Sequence, residues 1–150
     1  MTNVAVVLVT CNSTPGLTET LQSVSGQTQE PTTLIAIDDY STDHTVEALR
    51  AAGFTVKTST STSPDPFTRI AQNFVNGVRL AQQRGADIVV LGDHDDIWHR
   101  DRVQRQIDIL EDHRQVAMLA SDGFIIDEHG VALPGSIRGS FPVPDDFYEW

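Results

Sequence analysis

Short runs of apolar and β-branched residues alternate along the chain with longer segments whose apolar residues recur at helical spacing. The clearest runs lie at Val4–Thr10, Thr33–Ile37 and Ile88–Leu91. None of them alternates regularly with polar residues, which is typical of strands buried on both faces of a parallel sheet. Weaker runs at Phe54–Thr60 and Val116–Ala120 bring the predicted strands of this sheet to five.

Helical periodicity fills the segments between these runs. Thr14 and Pro15 are typical of an N-cap and a first helical position, and they predict a helix that continues through Val24. The other predicted helices follow Asp43, run from about Thr68 to Arg84 and span roughly Arg100–Asp112. Alternation of strands and helices predicts an α/β fold, with a mostly parallel sheet covered by helices on both faces.

The sequence pattern predicts a change in organisation in the last third of the chain. Phe124–Asp127 and Val131–Leu133 flank a turn-like segment, and no linker precedes Pro134. Beyond that point the chain is rich in proline and loop-like. We therefore expect residues 1–133 to form one domain and residues 134–150 to form a tail.

The charge balance restricts the possible partners. The 150 residues include 21 acidic and 10 basic side chains, a formal net charge of −11. Such a surface repels nucleic-acid backbones and anionic membranes, so neither is an expected partner. A small anionic ligand can still bind where a divalent cation bridges it to carboxylates.

Targeting signals are not evident in the sequence. The apolar runs are far shorter than a membrane span, and the N-terminus lacks the basic start of a secretory signal. Cys11 is the single cysteine, which excludes an intrachain disulfide and suits a reducing compartment. We expect a cytoplasmic protein with no transmembrane segment.

Polar residues collect where the predicted strands end. Thr10-Cys11-Asn12 follows the first strand, Asp38-Asp39 the second, and Asp93, Asp95 and Asp96 the fourth. Ligands of parallel α/β sheets bind beyond the carboxyl ends of the strands. Carboxylates without basic partners are best tolerated around a cation, and oxygen ligands favour Mg²⁺ or Mn²⁺. The pattern predicts a metal-assisted site for a phosphate ester.

Other polar residues in these segments have simpler explanations. Asp43 and Asp101 stand at helix starts and are expected to serve the helix termini. Cys11 has no histidine and acid arranged for it and is expected to be a packed thiol. His94 and His99 flank the acidic motif, where a nitrogen ligand is the less favoured interpretation.

Four segments resemble, in order and spacing, markers of the family 2 glycosyltransferases with the Rossmann-like GT-A fold. They are Val7–Asn12 (VLVTCN), Ile37–Thr45 (IDDYSTDHT), Arg69–Gly77 (RIAQNFVNG) and Leu91–Trp98 (LGDHDDIW). The last segment, with Arg102–Gln106 (RVQRQ), is most similar to the rhamnosyltransferase-like branch. Four motifs in register are a far more specific signal than any one of them.

The resemblance implies a role for each matching residue on the nucleoside side of the site. Thr10 and Asn12 would line the nucleotide cleft. Asp38 would lie beside the base or ribose, and Asp39 near the same nucleoside. Asn73, on the helix before the acidic strand, would help to order the donor site.

On the diphosphate side, the resemblance implies a metal site. Asp93 would reach the ribose or a metal-bound water, Asp95 would be the direct ligand of Mn²⁺ or Mg²⁺, and Asp96 has a variable role. The family inverts the anomeric centre with the help of a general base. A nucleoside-diphosphate sugar is therefore the implied partner, with UDP- and dTDP-sugars, including dTDP-rhamnose, as candidates. The acceptor and the oligomeric state are not indicated by any motif.

Departures from the family pattern limit the expected activity. Cys11 and Tyr40 stand where the family commonly has an aromatic residue and a glycine. The family places its general base and acceptor-binding elements after the segment that ends near Gly130, and Asp145 and Asp146 lie in no recognisable base motif. We expect a truncated GT-A domain whose base lies outside this chain. The alternative is a nucleoside-diphosphate-binding module without transfer activity.

Two other nucleotide or metal-binding classes fit the sequence poorly. A receiver-type signalling domain needs a lysine late in the sheet and acids after the first strand, whereas Lys57 is the only lysine and Thr10-Cys11-Asn12 ends that strand. A sugar nucleotidyltransferase needs a glycine-rich basic loop there, and residues 10–16 contain no Arg or Lys.

Overall fold

The computed structural model describes residues 2–127 and 129–140. The chain divides into two compact units, residues 1–112 and residues 113–150. The boundary expected between residues 133 and 134 stays a prediction. Glu128 of the predicted turn, together with Asp145 and Asp146, lies outside the described residues.

The first unit alternates strands and helices. Its elements are β1 (Val4–Thr10), α1 (Thr14–Ser25), β2 (Thr33–Asp38), α2 (Thr45–Ala51), β3 (Thr55–Thr58), α3 (Pro66–Gln83), β4 (Ile88–Asp93) and α4 (Arg102–Asp112). The strands form one sheet in the order β3-β2-β1-β4, and all neighbours are parallel. The α/β fold predicted from the apolar runs is confirmed.

The centre of this sheet is buried on both faces. All seven residues of β1 are buried. On one face Val4, Val6 and Leu8 pack with residues of α1, α2 and α4, and on the other Ala5 and Val7 pack with α3. Two helical layers therefore cover the two faces, which explains why β1 shows no polar alternation.

Gly77 sets how closely α3 approaches the sheet. A Cβ atom at this position would lie 2.3 Å from Val7 Cγ1. Only glycine permits this contact without a shift of β1 or α3. The contact fixes the helix that carries Arg69 and Asn73 against the central strand.

The start of α1 differs from the prediction. Pro15 has ψ 122° and Gly16 has φ +86°, so regular helical geometry begins after them. Thr14 is not an N-cap, because its hydroxyl donates to Asp43 Oδ2 at 2.6 Å. Asp43 does serve a helix start, since its Oδ1 accepts from the backbone N–H of Thr45 at 3.0 Å.

The second unit contains a small antiparallel sheet. It comprises β5 (Phe124–Ile126), β6 (Ala132–Ser136) and the short α5 (Ile137–Ser140). Residues 116–120 form no strand, so the predicted fifth strand is wrong. Val116 and Met118 are exposed, Met118 at 79%, and an apolar run becomes a strand only beside a partner strand. The loop predicted from Pro134 onward is replaced by β6 and α5 as far as Ser140.

No helix in the described part of the chain is long and apolar enough to cross a membrane.

Candidate functional site

The register of the parallel sheet brings three strand ends together. Thr10 at the end of β1 pairs with Asp38 of β2, and Val9 pairs with Asp93 of β4. The carboxyl ends of these strands therefore form one edge. The gathering of these polar residues at one edge, which the parallel α/β topology predicts, is confirmed.

Asp38 is the buried centre of this edge. The residue is 4% exposed. Its Oδ1 accepts from Thr10 Oγ1 at 3.0 Å and from Ser41 Oγ at 2.6 Å, and its Oδ2 accepts from the Ser41 backbone N–H at 2.9 Å. Protein donors already satisfy both oxygens, so Asp38 holds the ends of β1 and β2 in a fixed arrangement.

Asn12 ties the loop after β1 to the loop after β2. Its backbone N–H donates to Ser41 Oγ at 2.8 Å, and its Oδ1 accepts from the Thr42 backbone N–H at 2.8 Å. Its φ of +49° is one that asparagine tolerates better than most residues. The structure thus brings Thr10, Asn12 and Asp38 into one network.

Asp39 pairs with a basic residue of α3 that the predicted site residues did not include. It forms an ion pair with Arg69 of α3, and the Asp39 side chain is 11% exposed while that of Arg69 is 33% exposed. The hydrogen bond from Arg69 to Asp39 raises the pKa of the guanidinium. Arg69 is one of ten cations in an acidic chain and begins the RIAQN motif, and those two signals together could have identified it.

Two atoms of this pair keep unused hydrogen-bonding capacity. Asp39 Oδ1 and Arg69 Nε are enclosed, and neither has a hydrogen-bond partner among the described residues. Leaving such a group unpaired costs about 1–3 kcal/mol, and more when it is charged. Cys11 is exposed at the same edge, so the prediction of a packed thiol is wrong. Partial burial, and then the charges of Asp39 and Asp38, raises the pKa of this thiol.

Asn73 lies inside the unit, one helical turn after Arg69. It is 1% exposed, and its Oδ1 accepts from Ser59 Oγ at 2.6 Å. The Ser59 backbone N–H donates in turn to the Asp38 carbonyl at 2.8 Å. Asn73 therefore anchors the segment after β3 to the end of β2, and its Nδ2 has no partner among the described residues.

Three aspartates lie at the end of β4 and just after it, in a segment that we call the acidic loop (residues 93–98). Asp93, Asp95 and Asp96 are all exposed. Partial burial, and then the negative charges of Asp93 and Asp95, raises the pKa of Asp96. A Cβ atom added at Gly16 would lie 3.9 Å from the Cβ of Asp95. The three carboxylates thus share one electrostatic environment beside the start of α1.

Backbone contacts fasten the acidic loop to α1. Thr20 Oγ1 donates to the His94 carbonyl at 2.8 Å, and the Trp98 backbone N–H donates to Ser23 Oγ at 3.0 Å. Just beyond the loop, Gln27 Nε2 donates to the His99 carbonyl at 2.9 Å. Three polar side chains of the segment 20–27 therefore hold the carboxylate-bearing segment at the sheet edge.

The two histidines that flank the acidic residues differ: the charge of His94 opposes the rise in the pKa of Asp96, whereas His99 pairs elsewhere. His99 Nδ1 pairs with Asp101, which also accepts from Arg105 Nε at 2.6 Å. Within residues 2–127 and 129–140, no three His, Cys, Asp or Glu side chains are grouped so that they could hold a metal ion by themselves. A cation bound here would complete its shell with other oxygen atoms, such as those of water or of a diphosphate.

Residues 5–137 match the family described as glycosyl transferase family 2. The chain belongs to this family. The family predicted from the four motifs is therefore confirmed, although the match does not specify the rhamnosyltransferase branch. A comparison with curated proteins finds no significant match.

Solved structures of glycosyltransferases share the fold of this family 2 chain. Residues 1–349 of TarS from S. aureus superpose with a TM-score of 0.57 at 24% identity, covering 75% of this chain and 33% of TarS. The mannosyltransferase PcManGT from Pyrobaculum calidifontis gives a TM-score of 0.55 at 20% identity, covering 83% and 36%. The chain thus spans about a third of the length of each structure. The predicted GT-A fold is confirmed.

Proposed function

We propose that this family 2 chain is the donor-binding part of an inverting glycosyltransferase. It would bind a UDP- or dTDP-sugar, with dTDP-rhamnose among the candidates, together with Mn²⁺ or Mg²⁺, in the cytoplasm. The observation that carries the proposal is the single sheet edge that holds Asp39 with Arg69 at one side and Asp93 with Asp95 at the other.

The spacing of the strands suits a nucleoside diphosphate. β2 and β4 flank β1, so Asp38 and Asp93 are two strand spacings apart, about 10 Å. A nucleoside diphosphate is long enough to bridge such a distance, with its base at the β2 side and its diphosphate at the β4 side. TarS has been solved with UDP and with UDP-GlcNAc, and PcManGT with GDP-Man and Mn²⁺, which supports this class of ligand.

Asp39 and Arg69 together offer one acceptor and one donor to a nucleobase. Uracil and thymine present an N–H donor between two carbonyl acceptors, whereas cytosine presents an acceptor nitrogen beside an amino donor. Asp39 Oδ1 is an unpartnered acceptor, and Arg69 Nε is an unpartnered donor. Both atoms are enclosed, so a base would reach them after a rotation of the partly exposed Arg69 side chain. This pair fits the N3–H and a carbonyl of uracil or thymine, and equally the amino group and N3 of cytosine, so the preference for UDP or dTDP rests on the family resemblance and on the UDP complex of TarS.

The carboxylates of the acidic loop fit a cation that is shared with a diphosphate. Asp93, Asp95 and Asp96 all offer carboxylate oxygens. Mg²⁺ commonly takes one or two carboxylates and completes its shell with phosphate oxygens and water. Asp95 would be the direct ligand, and Asp93 would reach the ribose or a metal-bound water. Such a cation supplies positive charge that stabilises the diphosphate as a leaving group.

Four polar residues would act mainly by shaping the cleft. The hydrogen bonds of Asp38, Thr10 and Asn12 rigidify the loops that would enclose the nucleoside. Asn73 would order the donor site through Ser59. Rigid support of this kind reduces the cost of ordering the loops when a ligand binds. The general base of the inverting displacement and the acceptor-binding elements would come from outside this chain.

Asp39→Asn tests the assignment of the base site. The amide keeps only one acceptor oxygen, which cannot serve both Arg69 and a base N–H, and it loses the charge that holds Arg69. We expect UDP affinity to fall by about tenfold or more, as for a lost charged hydrogen bond. Calorimetric titration with UDP measures this, and the exposed Asp108→Asn on α4 is the control. An Asp39→Asn protein that binds UDP as tightly as the wild type would remove Asp39 from the site.

A binding module without transfer activity is the alternative, and it makes the same nucleotide contacts. The chain corresponds to about a third of each neighbouring structure, so the activity of those whole proteins is not carried over to it. UDP-sugar turnover in the presence of Mn²⁺ distinguishes the two. Release of free UDP by this chain supports the enzyme, whereas tight binding with no release supports the module.

A further inference from the structure

Arg102, the first residue of α4, makes contacts that the proposed roles do not use. Its guanidinium carbon lies 4.1 Å from the centroid of the Trp98 ring, a typical cation–π distance. Its Nη2 donates to the carbonyl oxygen of Leu91 at 3.2 Å. Burial lowers the pKa of this arginine, while the charges of Asp96 and Asp93 oppose that shift. One half-buried cation therefore faces two carboxylates of the acidic loop.

The contacts of Arg102 fall on both ends of the acidic loop. Leu91 lies in β4, two residues before Asp93, and Trp98 is the last residue of the loop. One side chain thus bridges the chain entering the loop and the chain leaving it. A clamp of this kind restricts the loop as a cross-link would, because it removes conformations in which the two ends separate.

Trp98 transmits this restraint to the sheet. The ring is buried at 4% exposure. It lies so close to Gly92 of β4 that a Cβ at that position would be 2.5 Å from Trp98 Cζ2 and 3.0 Å from Leu8 Cδ2. The position of the ring therefore depends on Gly92, which has no Cβ, and on the guanidinium of Arg102.

We propose that Arg102 is a positioning residue that holds the acidic loop in the arrangement needed for donor binding. It acts through Trp98 and the Leu91 carbonyl and touches no ligand itself. What the loop binds rests on the proposed function, whereas the clamp itself rests only on the contacts of Arg102.

Positioning and charge predict opposite effects of removing Arg102. A cation beside carboxylates repels a second cation, so loss of its charge alone would tighten the binding of Mn²⁺. Loss of the clamp would instead let the loop move and weaken binding, because the ligand must then order it. Weaker binding in an uncharged variant is therefore a sign of lost positioning.

Hydrogen exchange tests the clamp without any ligand. In Arg102→Gln we expect the backbone amide of Trp98, which donates to Ser23 Oγ, to exchange about tenfold faster than in the wild type. Arg102→Lys keeps the charge but loses the planar stacking group, and we expect an intermediate rate. Arg105→Gln, an exposed arginine on the same helix, is the control and should leave the exchange of this amide unchanged. Unchanged exchange in Arg102→Gln would overturn the clamp.

Titration with UDP and Mn²⁺ then tests the consequence for the donor site. We expect Arg102→Gln to bind about tenfold more weakly, Arg102→Lys to recover part of the loss, and Arg105→Gln to match the wild type. Equal or tighter binding by Arg102→Gln would overturn the positioning role. If Arg102→Gln does not fold, Arg102→Lys carries both measurements. If the wild type binds no nucleotide, the proposed function fails, and hydrogen exchange still decides the clamp.

Discussion

At the scale of single residues, hydrogen-bond capacity separates two neighbouring acids. Asp38 accepts from Thr10 and Ser41 with both oxygens, whereas Asp39 keeps Oδ1 unpartnered among the described residues. Motif spacing could predict that both lie at a strand end. It could not assign their partners, since Ser41 and Arg69 reach the edge through a loop and a distant helix. The different roles of Asp38 and Asp39 are therefore inferred from their contacts in the structure, and they stay predictions.

Tyr40 carries backbone strain beside this pair. Its φ is +60°, in the left-handed region, and its side chain is 64% exposed. Tyr40→Gly should raise the free energy of unfolding by about 0.5–1 kcal/mol, because glycine relieves the strain although it loses more entropy on folding. Chemical denaturation measures the change.

Tyr40→Ala separates the backbone effect from loss of the ring. Alanine removes the same aromatic group and keeps the Cβ that disfavours a positive φ. The account is contradicted if the glycine variant is no more stable than the alanine variant.

At the scale of elements, burial on both faces made the strands of the sheet predictable. The β1 prediction matches its observed bounds, and β2 and β4 differ only at their carboxyl ends, by one and two residues. Residues 116–120 failed because apolar composition does not supply a partner strand. Thr14 failed as an N-cap because its best acceptor, Asp43, comes from another loop. Local patterns thus predict elements well and contacts between loops poorly.

The link between the starts of α1 and α2 should depend on pH. Hydrogen bonds, first from Thr14 and then from Thr45, hold the pKa of Asp43 well below its ordinary value near 3.9. A carboxyl whose pKa is lowered by folding stabilises the fold above its unfolded pKa, and this contribution is lost as the pH falls toward its folded pKa. Thermal unfolding measures this effect. Between about pH 5 and about pH 3, Asp43→Asn should lose less stability than the wild type.

Asp108→Asn is the matched control, because Asp108 is an exposed acid whose partner, Gln104, lies on its own helix. It should follow the wild-type pH dependence closely. Equal acid sensitivity of Asp43→Asn and the wild type would show that the Asp43 contacts do not stabilise the fold.

At the scale of the whole molecule, net charge and strand order act together. The chain has a formal net charge of −11 and exposes three carboxylates at one edge of the sheet. Of the cations described above, Arg69 and Arg102 lie beside acidic residues at that edge. An anionic ligand at this edge would need further positive charge, which a divalent cation supplies. The family and fold could be predicted because four motifs fall in register. The Arg102 clamp could not, since it depends on the tertiary position of Trp98.

The most direct test of the donor-site account is calorimetric titration of the folded chain with UDP, dTDP, GDP and CDP, each with and without Mn²⁺. We predict binding of UDP or dTDP that requires Mn²⁺, and loss of most of this affinity in Asp95→Ala. Asp95 is exposed, so that variant should keep the thermal stability of the wild type. Absence of binding to all four nucleotides, or equal affinity with and without Mn²⁺, would contradict the account.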